Sequence, residues 1–137
     1  MVVGVPKESF PGERRVALAP GVIPNLTKAG LKVVIEAGAG VGAGYPDAAY
    51  AEKGADILPE RADGFRAAEV VVQVLCHGSN DRTGKADLPL LRPDQILIGF
   101  LRPLGSLDTI REVAATGVTS FSVELMPRIT RAQSMDA

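Results

Sequence analysis

The sequence predicts an α/β fold: an open, parallel, five-stranded sheet with helices on both faces, flavodoxin-like or Rossmann-like in its winding. Three observations carry that expectation. Five short apolar, β-branched runs recur along the 137 residues, segments of helical character separate them, and glycines stand where helices should hand over to strands. A hydrophobic content of 46% and a charged content of 23% are those of an ordinary globular domain, and the length fits one such domain while excluding two full catalytic ones.

Val2 to Val5 reads as the first strand, continuous enough in its apolar character to be buried on both faces. A helix over Gly21 to Ala29 follows, stopped by Gly30, and leads into a second strand over Lys32 to Glu36. Pro46 to Lys53 reads as a short helix with Asp47 available as its cap, and Glu60 to Ala68 as a longer one feeding the third strand, Glu69 to Leu75. Gln95 to Leu101 is the fourth strand. Ser106 caps a helix to Thr116, Gly117 ends it, and Val118 to Leu125 is the fifth strand. Strand and helix alternation implies parallel pairing, and right-handed crossovers favour a flavodoxin-like order. Residues 131–137 have the composition of a helix barely begun, with no glycine or proline to stop it, so the natural chain is expected to continue.

Several function classes are disfavoured by composition. Fifteen Lys plus Arg against sixteen Asp plus Glu leave a formal charge of -1, which offers no field for nucleic acid or an anionic membrane. An aromatic content of 4% without tryptophan gives little material for base stacking. No apolar run approaches the roughly 18 residues of a membrane span, so no direct membrane insertion is expected. A single cysteine, Cys76, excludes an intramolecular disulfide and a thiolate metal cluster, and points to a reducing, cytoplasmic setting.

Ligands of open parallel sheets bind beyond the carboxyl ends of the strands. The residues there are polar: Lys7, Glu8, Glu13, Arg14 and Arg15 after the first strand, His77 after the third, Arg102 after the fourth, and Glu124, Arg128, Gln133 and Asp136 at or after the end of the fifth. Gly38, Gly40 and Ala43 fit a loose dinucleotide fingerprint, yet Pro46 opens only a short helix beyond them, and Asp63, the acidic residue at the required distance, precedes a helix instead of ending a strand. A turn is the better reading. Gly78 to Lys85 imitates a phosphate loop with five residues between its glycines where four are needed, and Ala86 stands where a hydroxyl would bind magnesium. Cys76 and His77 are sequence neighbours on a strand end and so face opposite ways, which disfavours a catalytic dyad. No metal site is expected. In the last segment Thr130 and Gln133 have the spacing of a helix capping box. Arg128 as a fixed cation, Gln133 as an amide and Asp136 as a hydroxyl acceptor could together hold a carboxamide and a ribose. Both readings of Gln133 stand open at this point.

Residues 3–8 (Val-Gly-Val-Pro-Lys-Glu), 11–20 (Pro-Gly-Glu-Arg-Arg-Val-Ala-Leu-Ala-Pro) and 34–45 (Val-Ile-Glu-Ala-Gly-Ala-Gly-Val-Gly-Ala-Gly-Tyr) resemble the amino-terminal domain shared by alanine dehydrogenases and the NAD(H)-binding alpha subunit of proton-translocating NAD(P) transhydrogenases. Residues 127–137 are similar to the transhydrogenase branch, in which an Arg-Gln-Asp loop lies against the nicotinamide nucleotide. The resemblance implies the amino-terminal domain of a two-domain dehydrogenase, with residues 1–137 ending before an NAD-binding Rossmann domain and NAD(H) held in the cleft between the two. Arg128, Gln133 and Asp136 would bind that cofactor, with no catalytic acid or base in this chain. NADP(H) would sit on a partner component, and a membrane component would couple hydride transfer to proton movement. The full-length subunit would be a homodimer in the cytoplasm, peripheral to the inner membrane through its partners. Arg15 matches the residue that holds a keto-acid carboxylate in alanine dehydrogenases. That branch, however, carries a lysine and a histidine where this sequence has Leu75 and Arg102, so the transhydrogenase branch is favoured over an alanine dehydrogenase-like enzyme. A non-enzymatic flavodoxin-like module is disfavoured by the basic residues Lys7, Arg14 and Arg15 after the first strand, where a phospho-accepting domain would need clustered acids.

Overall fold

β-Branched residues dominate the strands of the computed structural model, which describes residues 1–127 and 129–135. Among the described residues there are six parallel strands: β1 (Val2–Val5), β2 (Lys32–Glu36), β3 (Asp56–Leu58), β4 (Val70–Leu75), β5 (Ile96–Phe100) and β6 (Thr119–Ser122). They lie in the order β3-β2-β1-β4-β5-β6. The five expected strands keep a flavodoxin-like order among themselves. The sixth, β3, pairs with β2 at the edge and turns the whole into the Rossmann winding. Its three residues are too few to show a period, so the sequence pattern does not reveal it.

Among the described residues the α-helices α1 (Ile23–Lys28), α2 (Asp47–Ala51), α3 (Arg61–Ala67) and α4 (Leu107–Ala115) lie within the expected segments. Gly30 and Gly117 follow α1 and α4 with φ of 81° and 78°, the left-handed conformation that ends a helix. Ser106 caps α4 by accepting the Thr109 N–H. Asp47 does not cap α2: Pro46 takes the cap position, and the Asp47 carboxylate instead accepts the Gly38 N–H at 2.8 Å.

Alternation along the central strands divides the core between the two faces of the sheet. Val3, Val5, Val33, Ile35 and Val70 pack with Ile23 of α1 and Tyr50 of α2. Val71 and Leu97 pack on the other face with Phe65 of α3 and Val113 of α4. Each fully buried side chain of this size contributes roughly 1.5–3 kcal/mol of transfer free energy, so covering both faces is what holds the strands in register. Because every pairing is parallel, the loops after β1, β2, β4, β5 and β6 all leave one edge. Among the described residues, no helix is long and apolar enough to cross a membrane.

Candidate functional site

Two carboxylates shape the carboxyl edge of the sheet. Successive amides of a regular strand point to opposite sides, and one side chain cannot take both. At the end of β4 the register with β5 shifts between Val72 and Leu75, and the Glu8 carboxylate accepts the N–H of both Val74 (2.7 Å) and Leu75 (3.0 Å). At the end of β5, Glu124 does the same for Leu101 (3.0 Å) and Arg102, and also accepts the Ser122 hydroxyl at 2.6 Å. Arg102 permits this by adopting φ 52°, a left-handed conformation that costs a non-glycine residue about 1–3 kcal/mol. The two carboxyls respond differently. Burial raises Glu8 above the ordinary carboxylate range, outweighing its backbone hydrogen bonds. Burial also works against the charge on Glu124, but the hydrogen bonds from Ser122, Arg102 and Leu101 prevail and hold it below that range.

Between β1, β2 and β4 lies the point where the winding changes direction, the usual ligand crevice of this fold. Here an ion-pair network is built into it. Arg61, the first residue of α3, donates from Nε and Nη2 to the two oxygens of Asp87, both at 2.7 Å, and from Nη1 to Glu36 (2.8 Å) and the Lys7 carbonyl (2.7 Å). Gln73 adds a bond to Asp87 at 3.1 Å, and the Lys7 N–H donates to Glu36 at 2.8 Å. A cavity of about 380 Å³ opens beside this network, lined by Lys7, Ser9 and Thr83 as well as the charged groups.

The candidate residues fall in three places. Arg15 lies in the loop after β1 with its guanidinium committed to Glu13 through Nε (2.9 Å) and Nη2 (2.6 Å), an arrangement that lowers the Glu13 carboxyl to about 2 chiefly through the hydrogen bond. Gln133 is exposed on a 3-10 helix, Thr130–Met135, in the segment that follows β6. Arg128 and Asp136 lie outside the described residues. Thr130 is the first residue of that 3-10 helix, and its opening bond runs from the Ala132 N–H to the Ile129 carbonyl at 2.8 Å, so Ile129 occupies the cap position that the capping box assigned to Thr130. Beside the start of this segment a second cavity, of about 390 Å³, is lined by Arg102, Pro103, Leu104, Gly105, Glu124 and Leu125.

Other residues singled out in the sequence have structural surroundings. The glycine segment is packed against its own fold: a Cβ on Gly40 would meet the Tyr50 ring at 2.6 Å and the Tyr45 carbonyl at 2.7 Å. Arg14 donates to the Gly42 carbonyl at 3.2 Å, closing the loop over that glycine. Cys76 is fully buried, and burial pushes its thiol far above the ordinary range, away from nucleophilic use. His77 meets Glu112 of α4 through Nε2 at 2.6 Å, and Glu112 is held from the other side by Lys85 at 2.6 Å. No group of three or more His, Cys, Asp or Glu side chains poised to hold a metal occurs among the described residues. Glu8 and Glu124 stood out in the sequence as edge charges but not as acceptors for backbone amides, and Arg61 and Asp87 did not stand out at all.

Residues 4–137 match the family described as alanine dehydrogenase/PNT, N-terminal domain. The chain belongs to that family. Within the alanine dehydrogenase/PNT group, the NAD(P) transhydrogenase subunit alpha of Cereibacter sphaeroides is 41% identical over 137 residues, covering 100% of this chain and 25% of the relative. The transhydrogenase structure from Sinorhizobium meliloti superposes with a TM-score of 0.89 at 37% identity, over 99% of this chain and 39% of that one. An L-alanine dehydrogenase structure superposes with a TM-score of 0.81 at 33% identity, over 90% of this chain and 32% of that one. The chain thus spans between 25% and 39% of the length of these relatives.

Proposed function

We propose that this alanine dehydrogenase/PNT N-terminal domain forms one wall of the NAD(H) cleft in a proton-translocating NAD(P) transhydrogenase, acting in hydride transfer from NADH to NADP+. The observation that carries the reading is the 41% identity to a transhydrogenase alpha subunit along the entire chain. Two residues agree with it. Leu75, at the position matching the lysine of alanine dehydrogenases, ends β4 with its N–H on Glu8, and Arg102, at the position matching their histidine, is held in the left-handed conformation. The alanine dehydrogenase reading also needs Arg15 for a substrate carboxylate, and here Glu13 occupies that guanidinium.

The groups present suit one end of a dinucleotide and not the other. The backbone N–H groups of Gly38, Ala39, Val41, Ala43 and Gly44 are donated to partners within the chain and so are not offered to a pyrophosphate, which this reading gives to the Rossmann domain that would complete the cleft. Gln133 offers an exposed amide able to donate and accept, as a carboxamide requires, and Arg128 and Asp136 would complete the set. The bound nicotinamide supplies the hydride chemistry. The chain's own contribution is orientation: no proton transfer by these residues is required, so Arg128, Gln133 and Asp136 act by fixing one ring face toward the NADP(H) held on a partner component. Assembly with that component and a membrane component would leave this domain at the cytoplasmic face, with the full-length subunit as a homodimer. The test is hydride transfer from NADH to NADP+ by the full-length subunit with its partners, set against alanine-dependent reduction of NAD+ by the same preparation. Transfer without alanine oxidation supports the reading, and alanine oxidation alone overturns it.

A further inference from the structure

Of the arginines along the carboxyl edge, Arg14 and Arg61 donate to carbonyls or carboxylates, Arg15 is paired with Glu13, and Arg82 lies over the Phe10 ring at 5.7 Å. Arg102 differs. It shares a cavity with Glu124, but its bond to that carboxylate runs from the backbone N–H, and no partner for its guanidinium is found among the described residues. The side chain is nevertheless held in place. Its backbone is left-handed at φ 52°, the Gly105 N–H closes a turn onto the Arg102 carbonyl at 3.0 Å, and the stem lies in the notch that Gly105 leaves, where a Cβ would stand 2.7 Å from Nε and 2.9 Å from Cγ. A strained backbone and a glycine notch that place a cation without an internal partner mark a group preorganised for a ligand. The cavity beside it, of about 390 Å³, has Pro103, Leu104 and Leu125 as apolar walls.

We propose that Arg102 is a phosphate-binding residue of the cleft, its planar guanidinium taking a phosphate oxyanion of a nicotinamide dinucleotide. The proposal rests on the transhydrogenase reading. Arg102 follows β5 at the edge where this winding takes its ligands, and that reading brings two sources of the same oxyanion there: the diphosphate of NAD(H) on the full-length subunit and the phosphates of NADP(H) on the partner component. A diphosphate held by the Rossmann domain from one side would be met by Arg102 from the other.

The experiment uses the full-length subunit, alone for NADH binding by fluorescence titration and assembled with its partners for the two KM values. Arg102→Gln removes the charge and weakens one nucleotide about tenfold. If the oxyanion is the diphosphate on this subunit, the Kd and KM for NADH rise together; if it belongs to the partner's nucleotide, only the KM for NADP+ rises. Arg102→Lys recovers part of the loss, because the charge returns without the planar fork. Gly105→Ala keeps the charge but pushes the side chain out of its notch, so it raises the same constant and adds nothing when combined with Arg102→Gln. Unchanged constants for both nucleotides in Arg102→Gln overturn the proposal, as does an equal rise for both, which a merely structural role produces. Alanine-dependent reduction of NAD+ without transfer to NADP+ by the unaltered enzyme overturns the transhydrogenase reading itself, and the proposal with it.

Discussion

Replacing Arg61 by methionine tests whether the crevice at the winding change is held by charge pairing. The side chain of Arg61 is 23% exposed, while those of Glu36 and Asp87 are 14% and 8% exposed, so the two carboxylates are more deeply placed than the cation they share. Arg61→Met removes four hydrogen bonds at 2.7–2.8 Å and leaves Asp87 with Gln73 alone and Glu36 with the Lys7 amide alone. Deleting one partner of a buried pair costs about 3–5 kcal/mol, and partial solvent access to Arg61 places the expectation at the lower end, about 3 kcal/mol. For a chain of this length that lowers Tm by about 10 °C. Adding Asp87→Asn to Arg61→Met recovers part of the loss, because an asparagine left without its cation carries no unpaired charge. Urea denaturation followed by circular dichroism measures both variants. A deficit below about 1 kcal/mol for Arg61→Met, or a double variant less stable than Arg61→Met, would refute the account of this network.

The Glu13–Arg15 pair gives a pH signature. Its carboxyl is lowered to about 2 from 4.5, so its small contribution, under about 1 kcal/mol because Arg15 is largely exposed, is present above pH 4.5 and lost as pH falls toward 2; an NMR titration of Glu13 midway near 4.5 would contradict the pairing. Gly40→Ala forces a Cβ to 2.6 Å from the Tyr50 ring and disturbs the Tyr50 hydroxyl's bond to the Leu18 carbonyl, so it destabilises the chain by about 1–3 kcal/mol; a change within about 0.5 kcal/mol would show that the segment yields easily. In the full-length assembly, Gln133→Glu slows transhydrogenation about tenfold with little change in Tm, and equal turnover would remove Gln133 from the cofactor site. Thr130→Ala, with Thr130 inside the 3-10 helix, costs less than the roughly 1 kcal/mol of a lost cap.

The sheet was legible in the sequence wherever four or more apolar positions rich in β-branched residues ran together, as in Val2–Val5 and Val70–Leu75. Asp56–Leu58 escaped because a strand that short carries no period and begins with a charged residue. The polar edge was legible for a topological reason: in a parallel sheet, whatever follows a strand gathers at one side. Which groups would meet was not. Arg61 opens a helix and reads as a solvated charge, and Asp87 lies in a 3-10 helix interrupted by Pro89 that reads as loop, so their pairing becomes visible only once the fold brings the start of α3 against that 3-10 helix. Glu8 and Glu124 were recognisable as charges at strand ends, but their partners are backbone amides, which every residue carries and no sequence pattern distinguishes. The glycine segment reads as a turn because only a short helix follows it and Asp63 does not end a strand, and the packing of Gly40 on Tyr50 gives the physical reason that glycine is needed there.

The central claim is that this domain serves NADH-to-NADP+ hydride transfer and not amino-acid oxidation. The most direct measurement is a side-by-side assay of the full-length subunit with its partner components, following reduction of NADP+ by NADH and, separately, reduction of NAD+ by alanine. The account predicts NADPH formation that depends on NADH and no alanine-dependent NADH formation. Alanine-dependent NADH formation without transfer to NADP+ would contradict it.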